Sequence, residues 1–274
     1  MRTLNHRCCI AGGGPAGIML GYQLARAGID VVILEKHADF FRDFRGDTIH
    51  PSTMEALYEL GLLDEFLKLP HFKAKRARAC FGDDLITIAD FSRLKTREKY
   101  IAFVPQWDFL NFLSSEGRKY PGFNLMMNTE ATDLIVENGT VKGVRAKSGS
   151  EEVEIPCDLV IGADGRQSIV REKAGLEIDT KGAPIDVLWF RLSKQEGDME
   201  QLFAFVNFGK LMIMIDRGDY WQCAFIIVKG DLEHLKSEGM DKFHEGIVKL
   251  APFLEGRLSE INDWDSIKLL SVRV

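Results

Sequence analysis

Three glycines, Gly12, Gly14 and Gly17, stand at G-x-G-x-x-G spacing between a short apolar run, 7–11, and a stretch with apolar residues at helical spacing, 18–27. Residues of these types in this order can hold a diphosphate. Gly12 permits a tight turn out of the strand. Gly14 has no Cβ to keep a pyrophosphate from the backbone, and Gly17 lets the helix lie close to the strand. Pro15 and Ala16 fall in the same turn, at a helix N-terminus whose free N–H groups and dipole favour an anion. Gly28 stops the helix, and 30–35 reads as a buried parallel strand ending in Glu35 and followed by Lys36. Glu35 comes eighteen residues after Gly17, where a carboxylate can accept hydrogen bonds from a ribose diol. An acid there favours an unphosphorylated ribose, hence FAD or NAD rather than NADP. A glycine-rich turn alone is a weak signal; the strand before it, the helix after it and the acid at the second strand's end strengthen it.

Further elements must position this cradle. Residues 53–69 have helical character with a break at Gly61. Residues 75–104 alternate and turn at 82–84, as antiparallel strands leaving a first domain and returning. An amphipathic helix is expected over 107–120. Asn138-Gly139 between the β-prone runs 131–137 and 140–147 is a hairpin signal, because both residues tolerate positive φ. A strand over 151–156 is followed by a buried one over 157–163, which runs into Asp164-Gly165. After about Gly182 the texture becomes β-rich, then helical between 232 and 258, and 267–274 reads as a core strand. The expected fold class is α/β: a Rossmann-type domain with a parallel sheet over 1–180, plus a β-rich (α+β) domain over 181–274. The excursion near 72–105 is a candidate to join the second domain. Ending on a core strand is unusual for a complete domain and is read as truncation.

Composition narrows the function classes. With a formal net charge of -6, the chain lacks the basic face a general nucleic-acid binder needs. No apolar stretch approaches the length of a membrane span, and the first residues carry no secretory signal, so a cytoplasmic location is expected. Cys8, Cys9, Cys80, Cys157 and Cys223 show no CxxC spacing, and the six histidines form no HExxH, so no disulfide ladder and no metal site is expected. There is no repeat and no low-complexity linker. The tripeptide Arg45-Gly46-Asp47 is taken as a coincidence of letters.

The segment Asp158-Leu-Val-Ile-Gly-Ala-Asp-Gly-Arg-Gln-Ser-Ile-Val-Arg171 resembles the second motif of the p-hydroxybenzoate-hydroxylase-like (class A) FAD monooxygenases. Asp164, Gly165, Ser168 and Arg171 match every position of that motif. The resemblance implies that the cofactor is FAD, with Asp164 near its pyrophosphate and ribose. It also implies cofactor contacts for Arg45, after the second strand, and for Gln106, before the 107–120 helix, and an adenine contact at Ala131. The resemblance is strong to Arg171 and general in texture beyond. The family's third motif, Gly-Asp-Ala-Ala-His, is absent; Gly230-Asp231-Leu-Glu-His234 is a superficial likeness lacking the alanines.

The resemblance further implies that NADH or NADPH is the electron donor and that one atom of dioxygen goes to an aromatic or phenolic small molecule, in a pocket that excludes water. Trp189, Phe190, Phe203, Phe205, Phe208, Met212 and Met214 are candidates for its wall, set against the plainer reading that they fill a core. Arg191, Asn207 and Gln222 are polar residues within these strands that could orient a phenol or carboxylate. Alternatives are an FAD-dependent reductase or halogenase of the same fold, or an inactive nucleotide-binding fragment. The halogenase segment Trp-x-Trp-x-Ile-Pro has no match; Trp221-Gln-Cys-Ala-Phe-Ile-Ile227 lacks the second Trp and the Pro.

Overall fold

The computed structural model describes residues 2–41, 48–179, 182–198, 203–207 and 209–273. Arg45 and Phe208 lie outside the described residues. By contacts the chain divides into two compact units, 1–45 with 105–179, and 46–104 with 180–274. The excursion into the second unit is therefore longer than 72–105. It carries the helices Pro51–Glu59 and Leu63–Phe66 as well as the strands.

The first unit is built on a four-stranded parallel sheet in the order Leu159–Gly162, Cys8–Ala11, Val31–Leu34, Phe123–Met126. The two central strands, CCIA and VVIL, are buried at every position, as continuous apolar runs covered on both faces must be. The connection from the first to the second is the helix Pro15–Arg26, and the helix Gln106–Gly117 leads to the outer strand. A second sheet pairs Thr129–Glu137, Thr140–Ser148 and Glu151–Pro156 antiparallel, with the short Arg2–Thr3 strand parallel at its edge. Its hairpin turns at Asn138-Gly139, with Glu137 opposite Thr140 and Asn138 at φ 50°. Leu134, Val144, Val153 and Ile155 pack with Cys9, Val32 and Leu34 of the parallel sheet. Leu159–Gly162 departs from the sequence reading. It is an edge strand with Leu159 exposed, not a buried one, because among the described residues it pairs on one side only.

The second unit holds a seven-stranded sheet in the order Lys268–Arg273, Gly182–Ser193, Tyr220–Val228, Lys210–Asp216, Phe203–Asn207, Arg76–Phe81, Asp84–Asp90. All neighbours are antiparallel except Phe203–Asn207 and Arg76–Phe81. Lys268–Arg273 is thus an edge strand rather than the core strand expected. The two faces of this sheet are covered differently. One carries Leu188, Phe190, Leu192, Met212, Met214, Cys223 and Phe225 against Phe243, Ile247 and Leu250 of the helix Met240–Leu250 and Leu254 and Leu258 after it. On the other, Trp189, Ile213 and Ile215 meet Ala74, Ile101 and Phe103. These last belong to a small sheet of Thr48–Ile49, Ile101–Phe103 and Phe72–Ala74.

All five cysteines are free, and no group of His, Cys, Asp or Glu among the described residues could hold a metal ion. No helix among the described residues is long and apolar enough to cross a membrane.

Candidate functional site

The glycine turn has the geometry its spacing implies. Gly12 sits at φ +112°, and a Cβ there would lie 2.2 Å from the Ala163 carbonyl oxygen. A Cβ on Gly17 would lie 1.9 Å from the Gly12 oxygen, so the helix can start this close to the turn only without one. At Gly14 a Cβ would meet nothing within 4 Å. The space beside it is open, which suits an approaching phosphate. Gly14 is the N-cap of the Pro15–Arg26 helix and no side chain caps it. The first-turn amides of Ala16 and Gly17 therefore remain available to an anion, since residues there have no intrahelical acceptor.

Gly13, between the fingerprint glycines, ties the turn to Glu35. A Cβ on it would stand 2.7 Å from the Glu35 Cβ, and its N–H donates to Glu35 Oε2 at 3.2 Å. The glycine turn and the strand-end carboxylate are thus one assembly. Glu35 Oε1 accepts from the His37 N–H at 3.0 Å and lies 2.5 Å from His37 Nδ1. Lys36 is exposed beside them.

The Asp164 loop caps its own helix. Asp164 Oδ2 accepts from the N–H groups of Ile169 (2.7 Å) and Val170 (3.2 Å). Ser168 Oγ accepts from the Arg171 N–H at 3.0 Å, and the Arg171 guanidinium donates back to the Arg166 carbonyl at 3.0 Å. Each polar residue of the D-G-x-x-S-x-x-R pattern therefore has a local structural task. The remaining oxygen, Asp164 Oδ1, is buried without a hydrogen-bond partner. A buried carboxylate oxygen is stable only when something donates to it, so a ligand hydroxyl fits there. Gly12 abuts Ala163 and the Asp164 backbone, so the Asp164 loop begins beside the glycine turn.

A family model described as an FAD binding domain matches residues 5–223. The chain belongs to this family. Among similar curated proteins are 6-methylpretetramide 4-monooxygenase of Streptomyces rimosus, 31% identical over 68% of this chain and 44% of its own length, and an uncharacterized aromatic compound monooxygenase of Bacillus subtilis, 30% identical over 64% of this chain and 34% of its own length. The chain thus spans less than half of either relative. Among solved structures, PqsL of Pseudomonas aeruginosa superposes with a TM-score of 0.79 at 16% identity, over 98% of this chain and 74% of PqsL. The p-nitrophenol 4-monooxygenase PnpA of Pseudomonas putida superposes at 0.78 and 20% identity, over 100% of this chain and 68% of PnpA. These two likenesses establish the fold.

Within this FAD-binding fold the other expected residues fall as follows. Gln106 is the first residue of its helix, and Ala131 lies half-buried near the start of the Thr129–Glu137 strand, opposite Ala146. That strand begins beside Glu35, with Thr129 N–H donating to the Glu35 carbonyl at 2.8 Å.

The residues expected to wall a substrate pocket are split by the sheet. Phe205, Met212 and Met214 face the helical layer and are almost wholly buried there, beside Phe190. Pairing puts Asn207, opposite Lys210, on the same face, where it lines a cavity with Lys210, Lys249 and Leu250. Phe205, Met212 and Met214 fill the core beneath the sheet rather than wall a pocket. Arg191 and Gln222 pair across neighbouring strands on the opposite face, which also carries Trp189 and Ile215. There Gln222 Oε1 accepts from Arg217 Nε at 2.9 Å. The Arg191 guanidinium lies 5.0 Å from the Tyr220 ring centroid, and that of Arg217 lies 5.8 Å from Phe103. Arg217, Tyr220 and Phe103 escaped the sequence reading, because only sheet register reveals which strand residues share a face.

Proposed function

We propose that this chain is the FAD-binding part, with the sheet of the substrate-binding part, of an NADH- or NADPH-dependent monooxygenase that hydroxylates an aromatic or phenolic small molecule. One observation carries the reading. The first glycine of the cradle packs against the backbone just before Asp164, so a single extended dinucleotide can reach the helix N-terminus, Glu35 and the unsatisfied Asp164 oxygen. The names of the relatives above favour aromatic oxygenation over other flavin chemistry.

Bound FAD supplies electron transfer from the nicotinamide donor and delivery of one atom of dioxygen to the ring. The chain's own residues bind and orient. The amides of Ala16 and Gly17 take the diphosphate, Glu35 takes the adenosine ribose, Asp164 accepts from a cofactor hydroxyl, and Gln106 and Ala131 contact other parts of the molecule. In the second unit Arg191, Arg217 and Gln222 present donors to a phenol or carboxylate, and Trp189, Ile215 and Phe103 keep water from the aromatic ring.

A second reading is a halogenase, because the fold also superposes on the flavin-dependent halogenases CmlS and CndH, with TM-scores of 0.74 and 0.78. Labelled dioxygen separates the two. Incorporation of one labelled atom into a phenolic product, with donor consumption stimulated by the phenol, is the expected result. Product oxygen drawn only from water, or a carbon–halogen bond in the product, rejects hydroxylation.

A further inference from the structure

We propose that His37 is a positioning residue for the cofactor's ribose: it locks the Glu35 carboxylate in place and so enforces recognition of the 2′-hydroxyl. The proposal rests on the nucleotide reading of the Gly12–Glu35 site and deepens it. A carboxylate has only lone pairs to offer, so a ring nitrogen 2.5 Å from Glu35 Oε1 must carry its proton on Nδ1. Both the neutral Nδ1–H tautomer and the imidazolium meet that demand. The same oxygen accepts from the backbone N–H of His37, while Gly13 N–H holds the other oxygen.

The carboxylate is therefore held from two directions before any nucleotide arrives. The glutamate side chain is 12% exposed and the histidine 46%, so the imidazole braces the acid from the solvent side. The base of the brace is itself fixed. Asn128 N–H donates to the His37 carbonyl at 2.9 Å and Thr129 N–H to the Glu35 carbonyl at 2.8 Å. A free glutamate would lose rotamer entropy on meeting a diol; a braced one has already lost it, which favours binding and narrows the geometry it accepts. Lys36 is exposed between the two and holds neither oxygen in any hydrogen bond the structure shows.

The test measures ADP and 2′-deoxy-ADP affinities by calorimetry on the flavin-free protein, with thermal melts confirming that each variant is folded. The His37→Ala variant is expected to bind ADP about tenfold more weakly and to lose most of the preference for ADP over its 2′-deoxy analogue. His37→Gln, whose amide can donate from a similar position, is expected to restore much of that preference. If the preference is unchanged in His37→Ala while Glu35→Ala abolishes it, the histidine proposal is overturned and the nucleotide reading stands. If Glu35→Ala also binds both nucleotides like the wild type, the assignment of the ribose site itself is overturned.

Discussion

In the parallel-sheet unit the candidate anion site is made by backbone amides; in the seven-stranded unit the candidate contacts are made by side chains. The cradle works because Gly12 and Gly17 lack a Cβ where one would collide, leaving amides and a helix end to meet an anion. The sheet works by dividing its residues between two faces, one sealed by the helix Met240–Leu250 and one bearing Arg191, Arg217 and Gln222. A backbone site is a matter of spacing along the chain, whereas a side-chain site depends on which neighbours the fold supplies.

The largest effect belongs to the backbone site. Gly17→Val places carbon atoms where even a Cβ would lie only 1.9 Å from the Gly12 oxygen. A loss above about 4 kcal/mol is expected, read as loss of the bound-flavin spectrum and of the melting transition. A folded, yellow Gly17→Val protein would break the comparison, since the cradle would then not depend on an absent side chain.

Next comes a buried ion pair in the seven-stranded unit. Arg257 and Asp198 are 5% and 7% exposed, and Asp198 also accepts from the Trp221 indole at 2.8 Å. Arg257→Ala leaves that carboxylate buried and poorly paired, at an expected cost of about 3–4 kcal/mol in urea denaturation. The hydrogen bonds from Arg257 hold the Asp198 carboxyl down at about 2, against an ordinary 3.8. A depressed carboxylate stabilises the fold above its unfolded pKa and loses that contribution as pH falls through the folded one. Wild-type stability should therefore drop between pH 3.8 and about 2, and Asp198→Asn should flatten that part of the profile.

The third prediction sharpens the contrast between the two faces. Met214→Ala is expected to cost about 2–3 kcal/mol of stability with the substrate KM unchanged. Arg191→Ala should change stability by less than about 0.5 kcal/mol yet raise KM for a phenolic substrate. An unchanged KM in Arg191→Ala, alongside a raised one in Met214→Ala, would reverse the assignment of the faces. Smallest is Ser168→Ala, which removes the acceptor for the Arg171 N–H. It should cost about 1 kcal/mol by thermal melting and leave ADP affinity as it was.

How much could be read ahead of the structure follows the same division. Gly12, Gly14, Gly17 and Glu35 were legible because a strand–turn–helix–strand unit is local and its residue types are restricted by sterics. Asn138-Gly139 was legible for the same reason. Leu159–Gly162 and Lys268–Arg273 were misjudged as interior strands, because an apolar run does not reveal how many neighbours it has. For Met212 and Met214 a core role is the plainer sequence reading and a pocket wall the other, and the helix that covers them decides for the core. His37 carried no signal at all; its part emerges only from a side-chain contact with Glu35.

The order of residues by itself determined the glycine turn at the helix start and the self-capped Asp164 loop, since both are made by contacts among near neighbours under strict steric limits. Tertiary structure alone decided that Gly12 would meet Ala163, 151 positions along the chain, and which face of the large sheet the helices would cover. Such decisions rest on the burial of apolar surface between distant segments, which is non-directional and leaves no fixed spacing in the sequence.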